Sequence, residues 1–178
     1  MKLVFAGDTV PNSWFVKYAK DADFVIHEAF ASPENYVAIM HQPPGLSWRM
    51  CCDFHTSGPS MGKVMSAINP RHAVAYHHQE ELSPYVRADI RRTYDGPLSL
   101  STDYMVWNIT KDDIRVRMAV VDEDVWPPQP SEKPQVPDPK LKVPFSDFII
   151  EGKYDMKDVI QPTYDEINKE YGLKEKQG

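Results

Sequence analysis

The stretch DFVIHEA, residues 23–29, decides how this sequence folds. Phe24, Val25 and Ile26 form an unbroken apolar run, and His27 and Glu28 follow at once. A strand that alternates apolar and polar residues has one wet face. A strand apolar at successive positions has both faces covered, which is the condition of a parallel sheet under helices. Upstream, KLVFA (residues 2–6) reads as a first strand closed by Gly7-Asp8-Thr9. Residues 11–20 read as a short helix opened near Asn12 or Ser13. Strand, helix, strand at this spacing is the unit of an α/β fold.

Working outward, residues 31–50 contain Pro33, Pro43, Pro44 and Gly45. They read as a long loop with at most a helical turn around residues 33–40, the kind of segment that walls a site. Ser57 or Ser60 can open a helix that runs to Ile68, with Val64, Ala67 and Ile68 on one face and Pro70 as its stop. HAVAY (residues 72–76) is a third strand, ending in His77 and His78. A helix from Ser83 or Pro84 to about Tyr94 follows. Short strands are expected in PLSLS (97–101), YMVWNIT (104–110) and DIRVRMAVV (113–121), the last alternating like an edge strand.

Residues 127–144 hold seven prolines, a density that no regular element survives. They read as a stiff extended arm that wraps its own domain or reaches a partner subunit. One helix is expected beyond it, at residues 163–171, and residues 173–178 are expected to fray. The expected division is therefore a domain of residues 1–126 and an arm with terminal helix, 127–178.

The 178 residues suit one domain with a real core. A net charge of −6 offers no general basic surface, so nucleic acid and anionic membrane are not the expected partners. No apolar run approaches the length of a membrane span, and the first ten residues lack a secretory pattern. Cys51 and Cys52 are adjacent, a spacing that strains a disulfide and fits no common metal-ligand pattern. They read as small reduced side chains, which points to the cytoplasm.

Chemistry-bearing residues gather just after apolar strands: Asp8, His27, Glu28, His77 and His78. Sites of open α/β folds lie at the carboxyl ends of strands. Asp8 alone reads equally as a turn former. His55, between a loop and a helix start, reads as a general acid, a phosphate contact or a cap. Successive residues of a strand face opposite ways, so only one of His77 and His78 is expected to face the site. His41 lies on the long loop, where it is exposed or lines a pocket. His72 reads as a surface group. Trp14, Trp48 and Trp107 read as packing residues.

Taken together, FAGDT (5–9), ADFVIHEAF (22–30), HTSGPSMGKVMSAINP (55–70), HAVAYHH (72–78) and YDGPLSLSTDYMVWNI (94–109) resemble the carboxyl-terminal half of a metallo-β-lactamase-fold hydrolase. The resemblance is to the branch that contains ribonuclease Z and arylsulfatase-like enzymes. It covers roughly residues 1–125. The resemblance implies half of an αββα sandwich, a mixed sheet with covering helices, and hydrolysis of an ester, phosphodiester or sulfate ester. It implies Asp8 and His77 as metal ligands, for zinc or manganese, and His55 as the catalytic group at the scissile bond. Enzymes of the family also carry a His-x-His-x-Asp-His cluster before the bridging aspartate, and this sequence contains none.

The expectation is therefore a hydrolase-like site that is incomplete or inactive in this chain alone, with a homo-oligomer or a partner that supplies the amino-terminal half, and with Glu28 or His78 as the local source of a third ligand. The alternative is a non-catalytic truncated homologue that acts as a structural or binding protein through self-association. An unrelated small α/β binding domain is the third reading. On the enzyme reading, a small-molecule ester suits the acidic charge better than a nucleic acid.

Overall fold

The computed structural model describes residues 1–120 and 146–172. Four strands, β1 (Leu3–Phe5), β2 (Phe24–Glu28), β3 (His72–Tyr76) and β4 (Leu98–Leu100), form one parallel sheet in the order β1-β2-β3-β4. Helices fill every crossover. Helix α1 (Ser13–Ala19) joins β1 to β2, and α5 (Ser83–Arg91) joins β3 to β4. Between β2 and β3 run α2 (Pro33–Met40), α3 (Pro44–Trp48), a π-helical segment (Arg49–Phe54) and α4 (Gly58–Ile68). Asn12 opens α1 as its sequence position predicts: its side-chain oxygen accepts from the Trp14 N–H at 2.9 Å and the Phe15 N–H at 3.3 Å.

The expected helical turn around residues 33–40 is the full helix α2, and the expectation of a loop over the rest of residues 31–50 is corrected. Pro33 and Pro44 occupy first-turn positions of α2 and α3, where a missing N–H breaks no helical bond. These prolines start helices rather than prevent them. Ser57 precedes α4 as expected, but its hydroxyl bonds Ser60 Oγ at 2.9 Å and makes no side-chain cap to the backbone.

Register sorts the sheet into two faces. Val4, Val25, Ala73, Ala75, Leu98 and Leu100 pack with Met61, Val64, Met65 and Ile68 of α4 and with Val86 and Ile90 of α5. The α4–α5 contact is close because Gly58 and Gly62 face it. A Cβ on Gly62 would stand 2.5 Å from the Ile90 carbonyl oxygen, and one on Gly58 2.6 Å from Asp89 Cβ. The opposite face carries Leu3 and Phe5 on the edge strand, 56% and 63% exposed, beside the buried Phe24 and Val74.

The chain divides into two compact units: Met1–Thr102 together with the segment from Gly152, and Asp103–Glu151. In the first, the Gly152 carbonyl accepts from the Ser13 N–H at 2.5 Å and the Ser13 hydroxyl at 2.9 Å. Helix α7 (Lys157–Tyr171) then runs beside α2, α3 and α4. Tyr164 meets Trp48 edge-on at 4.8 Å, and Lys63 of α4 pairs with Asp158. The helix expected at 163–171 starts earlier, at Lys157, and Pro162 is accommodated inside it.

In the second unit, β5 (Met105–Ile109) and β6 (Ile114–Met118) form an antiparallel ribbon, and α6 spans Asp147–Glu151. Parallel and antiparallel pairings are both present, in separate sheets. The proline-rich arm (127–144), the expected boundary at 126/127 and the terminal residues 173–178 lie outside the described residues. Among the described residues no helix is long and apolar enough to cross a membrane.

Candidate metal centre

Three parallel strands end on the same edge of the sheet, and each delivers polar groups there. Asp8 follows β1, Glu28 is the last residue of β2, and His77 follows β3. The fourth member, His55, closes the π-helical segment in extended conformation (φ −125°, ψ 177°), just before α4. One ligand atom from each of Asp8, Glu28, His55 and His77 can be chosen so that all lie within 4.8 Å of one another.

Glu28 is the hub. Its side chain is fully buried, and its two oxygens have different partners. Oε1 accepts from the Thr9 N–H at 3.0 Å and the Thr56 N–H at 2.9 Å. Oε2 accepts from His55 Nδ1 at 2.7 Å and lies 3.5 Å from His77 Nδ1. The Thr56 hydroxyl adds a bond to the Thr9 carbonyl at 2.7 Å. One carboxylate thus ties the end of β2 to the segments after β1 and before α4. His77 Nδ1 is also 2.9 Å from Asp8 Oδ1.

Exposure grades across the cluster. Against the buried Glu28, the His55 side chain is 21% exposed, His77 42% and Asp8 60%. The cluster thus runs from a buried end at Glu28 to a solvent-facing end at Asp8. Phe30 lies flat on the His55 ring at 4.2 Å and edge-on to His77 at 5.4 Å. Its own backbone is held on both sides, by Phe30 N–H to the Thr56 carbonyl at 2.8 Å and Gly58 N–H to the Phe30 carbonyl at 2.7 Å.

The structure brings Asp8, His55 and His77 together and separates the remaining histidines. His27 points into the helix-covered core, with Nδ1 2.7 Å from the Glu28 carbonyl oxygen and Phe15 edge-on at 5.2 Å. Burial pushes its pKa down to about 4, so it is a neutral core group. His78 lies outside the cluster and burial lowers its pKa also. The alternation rule used to separate His77 from His78 does not operate, because β3 ends at Tyr76 and His77 takes a left-handed conformation (φ 58°). The turn, not the pleat, aims His77.

His41 is exposed, at the left-handed C-cap of α2. His72 is corrected from a surface group to a half-buried one. It stacks on Phe24 at 5.7 Å and its Nε2 is 2.8 Å from Ser99 Oγ. Cys51 is buried and Cys52 half-buried, and burial pushes the Cys51 thiol up.

Sequence reasoning placed Glu28 only as a spare ligand and gave Thr56 and Phe30 no role. A carboxylate at the last position of a buried strand was the available signal. A charge there is tolerated only with dedicated partners.

Two carboxylates and two imidazoles are hard and borderline donors of the kind that zinc takes, and the carboxylates also suit manganese. The residues present therefore fit a divalent cation.

No family model matches the chain, and no curated protein does. Among solved structures, part of the chain is similar to the metallo-beta-lactamase fold protein YhfI from Bacillus subtilis, with 14% identity and a TM-score of 0.42. The similarity covers 56% of this chain and 36% of that one, so the chain spans little more than a third of that protein's length.

Proposed function

We propose that the strand-end cluster is the metal and proton-transfer site of a hydrolase of the ester, phosphodiester or sulfate-ester class. The relationship proposed is to the ribonuclease Z and arylsulfatase-like branch, with this chain as a carboxyl-terminal half. The observation that carries the reading is the convergence of Asp8, Glu28, His55 and His77 on one point. Asp8 and His77 would hold a zinc or manganese ion. Such an ion supplies Lewis acidity and acidifies a water beside the scissile bond.

The chain's own groups do the rest. Glu28 Oε2 engages His55 Nδ1–H, which fixes the ring and leaves Nε2 as its free nitrogen. Nε2 is the atom that accepts or delivers a proton at the leaving group. Phe30, stacked on the same ring, resists rotation of the imidazole and keeps water off one side. The net charge of −6 favours a small-molecule ester over a nucleic acid, and the two adjacent cysteines favour the cytoplasm.

The chain alone is expected to be incomplete or inactive, so the purified chain, loaded with zinc or manganese, should turn over carboxylic esters, lactones, phosphodiesters and sulfate esters no faster than metal in buffer, and turnover should appear only when a partner supplies the missing amino-terminal half. In that completed form His55→Ala should abolish turnover while weakening the metal by no more than about 10–100-fold. Metal-dependent turnover by the chain alone would overturn the incomplete-site reading.

A second reading rests on the apolar edge of the sheet. Leu3 and Phe5 expose large apolar side chains on an edge strand, and such a face favours association. On this reading the chain is a binding protein that self-associates, or it meets a partner that completes the site. The mass in solution decides it: a strict monomer with Leu3 and Phe5 intact counts against self-association.

A further inference from the structure

Glu28 carries more than a positioning role. An ionised carboxylate has about four acceptor directions, two on each oxygen. Oε1 uses both of its own on the Thr9 and Thr56 N–H groups. Oε2 uses one on His55. One direction is left over, on a fully buried residue, and the next polar atom it meets is His77 Nδ1 at 3.5 Å. That nitrogen is 2.9 Å from Asp8 Oδ1. Zinc bonds to nitrogen and oxygen of about 2.0–2.1 Å set the edges of a tetrahedral site at roughly 3.3–3.4 Å. The 2.9 Å and 3.5 Å separations bracket that value, so these two edges accept a cation with shifts of a few tenths of an ångström.

We infer that this chain alone binds one divalent cation through Asp8 Oδ1, Glu28 Oε2 and His77 Nδ1, with His55 on Glu28 as an outer partner and the fourth position open. This rests on the metal reading above and sharpens it: one ion rather than two, and a carboxylate from the end of β2 as third ligand. Three protein ligands and an open position are the pattern of catalytic rather than structural zinc. His55 stays outside because its Nδ1 is already engaged by Oε2 at 2.7 Å, shorter than a tetrahedral edge. Neutral His77 ligates through Nδ1 with its proton on Nε2. His78, the other local source of a third ligand, lies outside the cluster.

Zinc titration of the full chain by calorimetry, with X-ray absorption at the zinc edge, tests the assignment. The expected result is one zinc per chain and a ligand shell with a single imidazole. Glu28→Gln keeps the side-chain shape and should weaken zinc by more than the 10–100-fold typical of an outer partner. His55→Ala should weaken it within that range. The absorption measurement on the unaltered chain does not depend on any variant folding. Two imidazoles in the shell, two zinc ions per chain, or unchanged affinity in a folded Glu28→Gln would overturn the assignment and leave metal binding standing. No zinc bound by the unaltered chain would overturn both.

Discussion

Two buried carboxylates, Asp89 and Glu28, are used in different ways. Asp89 sits on α5 within the helical layer. Its Oδ2 accepts from the Ser32 N–H at 2.8 Å and from Asn35 Nδ2 at 2.9 Å, and Arg92 lies 3.7 Å from its Oδ1. Its partners are the start of α2 and a neighbouring guanidinium, and they anchor one helix to another. Glu28 sits at the strand ends, with backbone N–H groups on one oxygen and two imidazoles on the other. A buried acid whose partners are amides and arginine holds a fold together. A buried acid shared between backbone and histidines, beside an exposed aspartate, holds a fold together and presents a site. The distinction is in the partners and not in the burial.

The comparison breaks most visibly on deletion. Glu28→Ala leaves the Thr9 and Thr56 N–H groups and His55 Nδ1 without their acceptor, and it should cost roughly 3–5 kcal/mol in urea unfolding. A loss below about 1 kcal/mol would mean that the hub is not holding the three segments. Asp89→Ala orphans the buried Ser32 N–H and should cost about 2 kcal/mol while zinc affinity is unchanged. A drop in zinc affinity in that variant would show that the two regions are not independent.

The helical layer also carries a pH signature. Burial raises the Asp89 carboxyl above its ordinary value of 3.8, against the hydrogen bonds from Ser32 and Asn35 that pull it down. The folded state therefore prefers the protonated form. Its contribution is complete below pH 3.8 and is lost as pH rises through the folded value. Asp89→Asn should flatten that part of the stability curve, measured by thermal melts across the acid range. A curve of unchanged slope would contradict the assignment. The smallest stability effect is expected at the open end of the cluster. Asp8 is 60% exposed, so Asp8→Asn should change unfolding by no more than about 0.5 kcal/mol, while reducing zinc binding.

The sheet was legible because β2 and β3 carry apolar residues at successive positions, a pattern no solvent-facing strand sustains. The edge that bears the site was legible for the same reason: Asp8, Glu28 and His77 each follow an apolar run. What was not legible depends on tertiary partners. Pro33 and Pro44 look the same in a loop and in the first turn of a helix, so only a helical turn was read at 33–40 and none at 44–50. The left-handed turn at His77 leaves no mark in composition, since histidine tolerates it without glycine. Glu28 gains its meaning from Thr9, Thr56 and His55, which are 19, 28 and 27 residues away. No local pattern announces such a meeting.

The central claim is that the strand-end cluster holds a metal. Elemental analysis after zinc loading and exhaustive dialysis tests it most directly, on the unaltered chain and on the Asp8→Ala, His77→Ala double variant. One zinc per chain is expected, lost in the double variant with the fold intact. Zinc absent from the unaltered chain, or retained at full stoichiometry by the double variant, would contradict it.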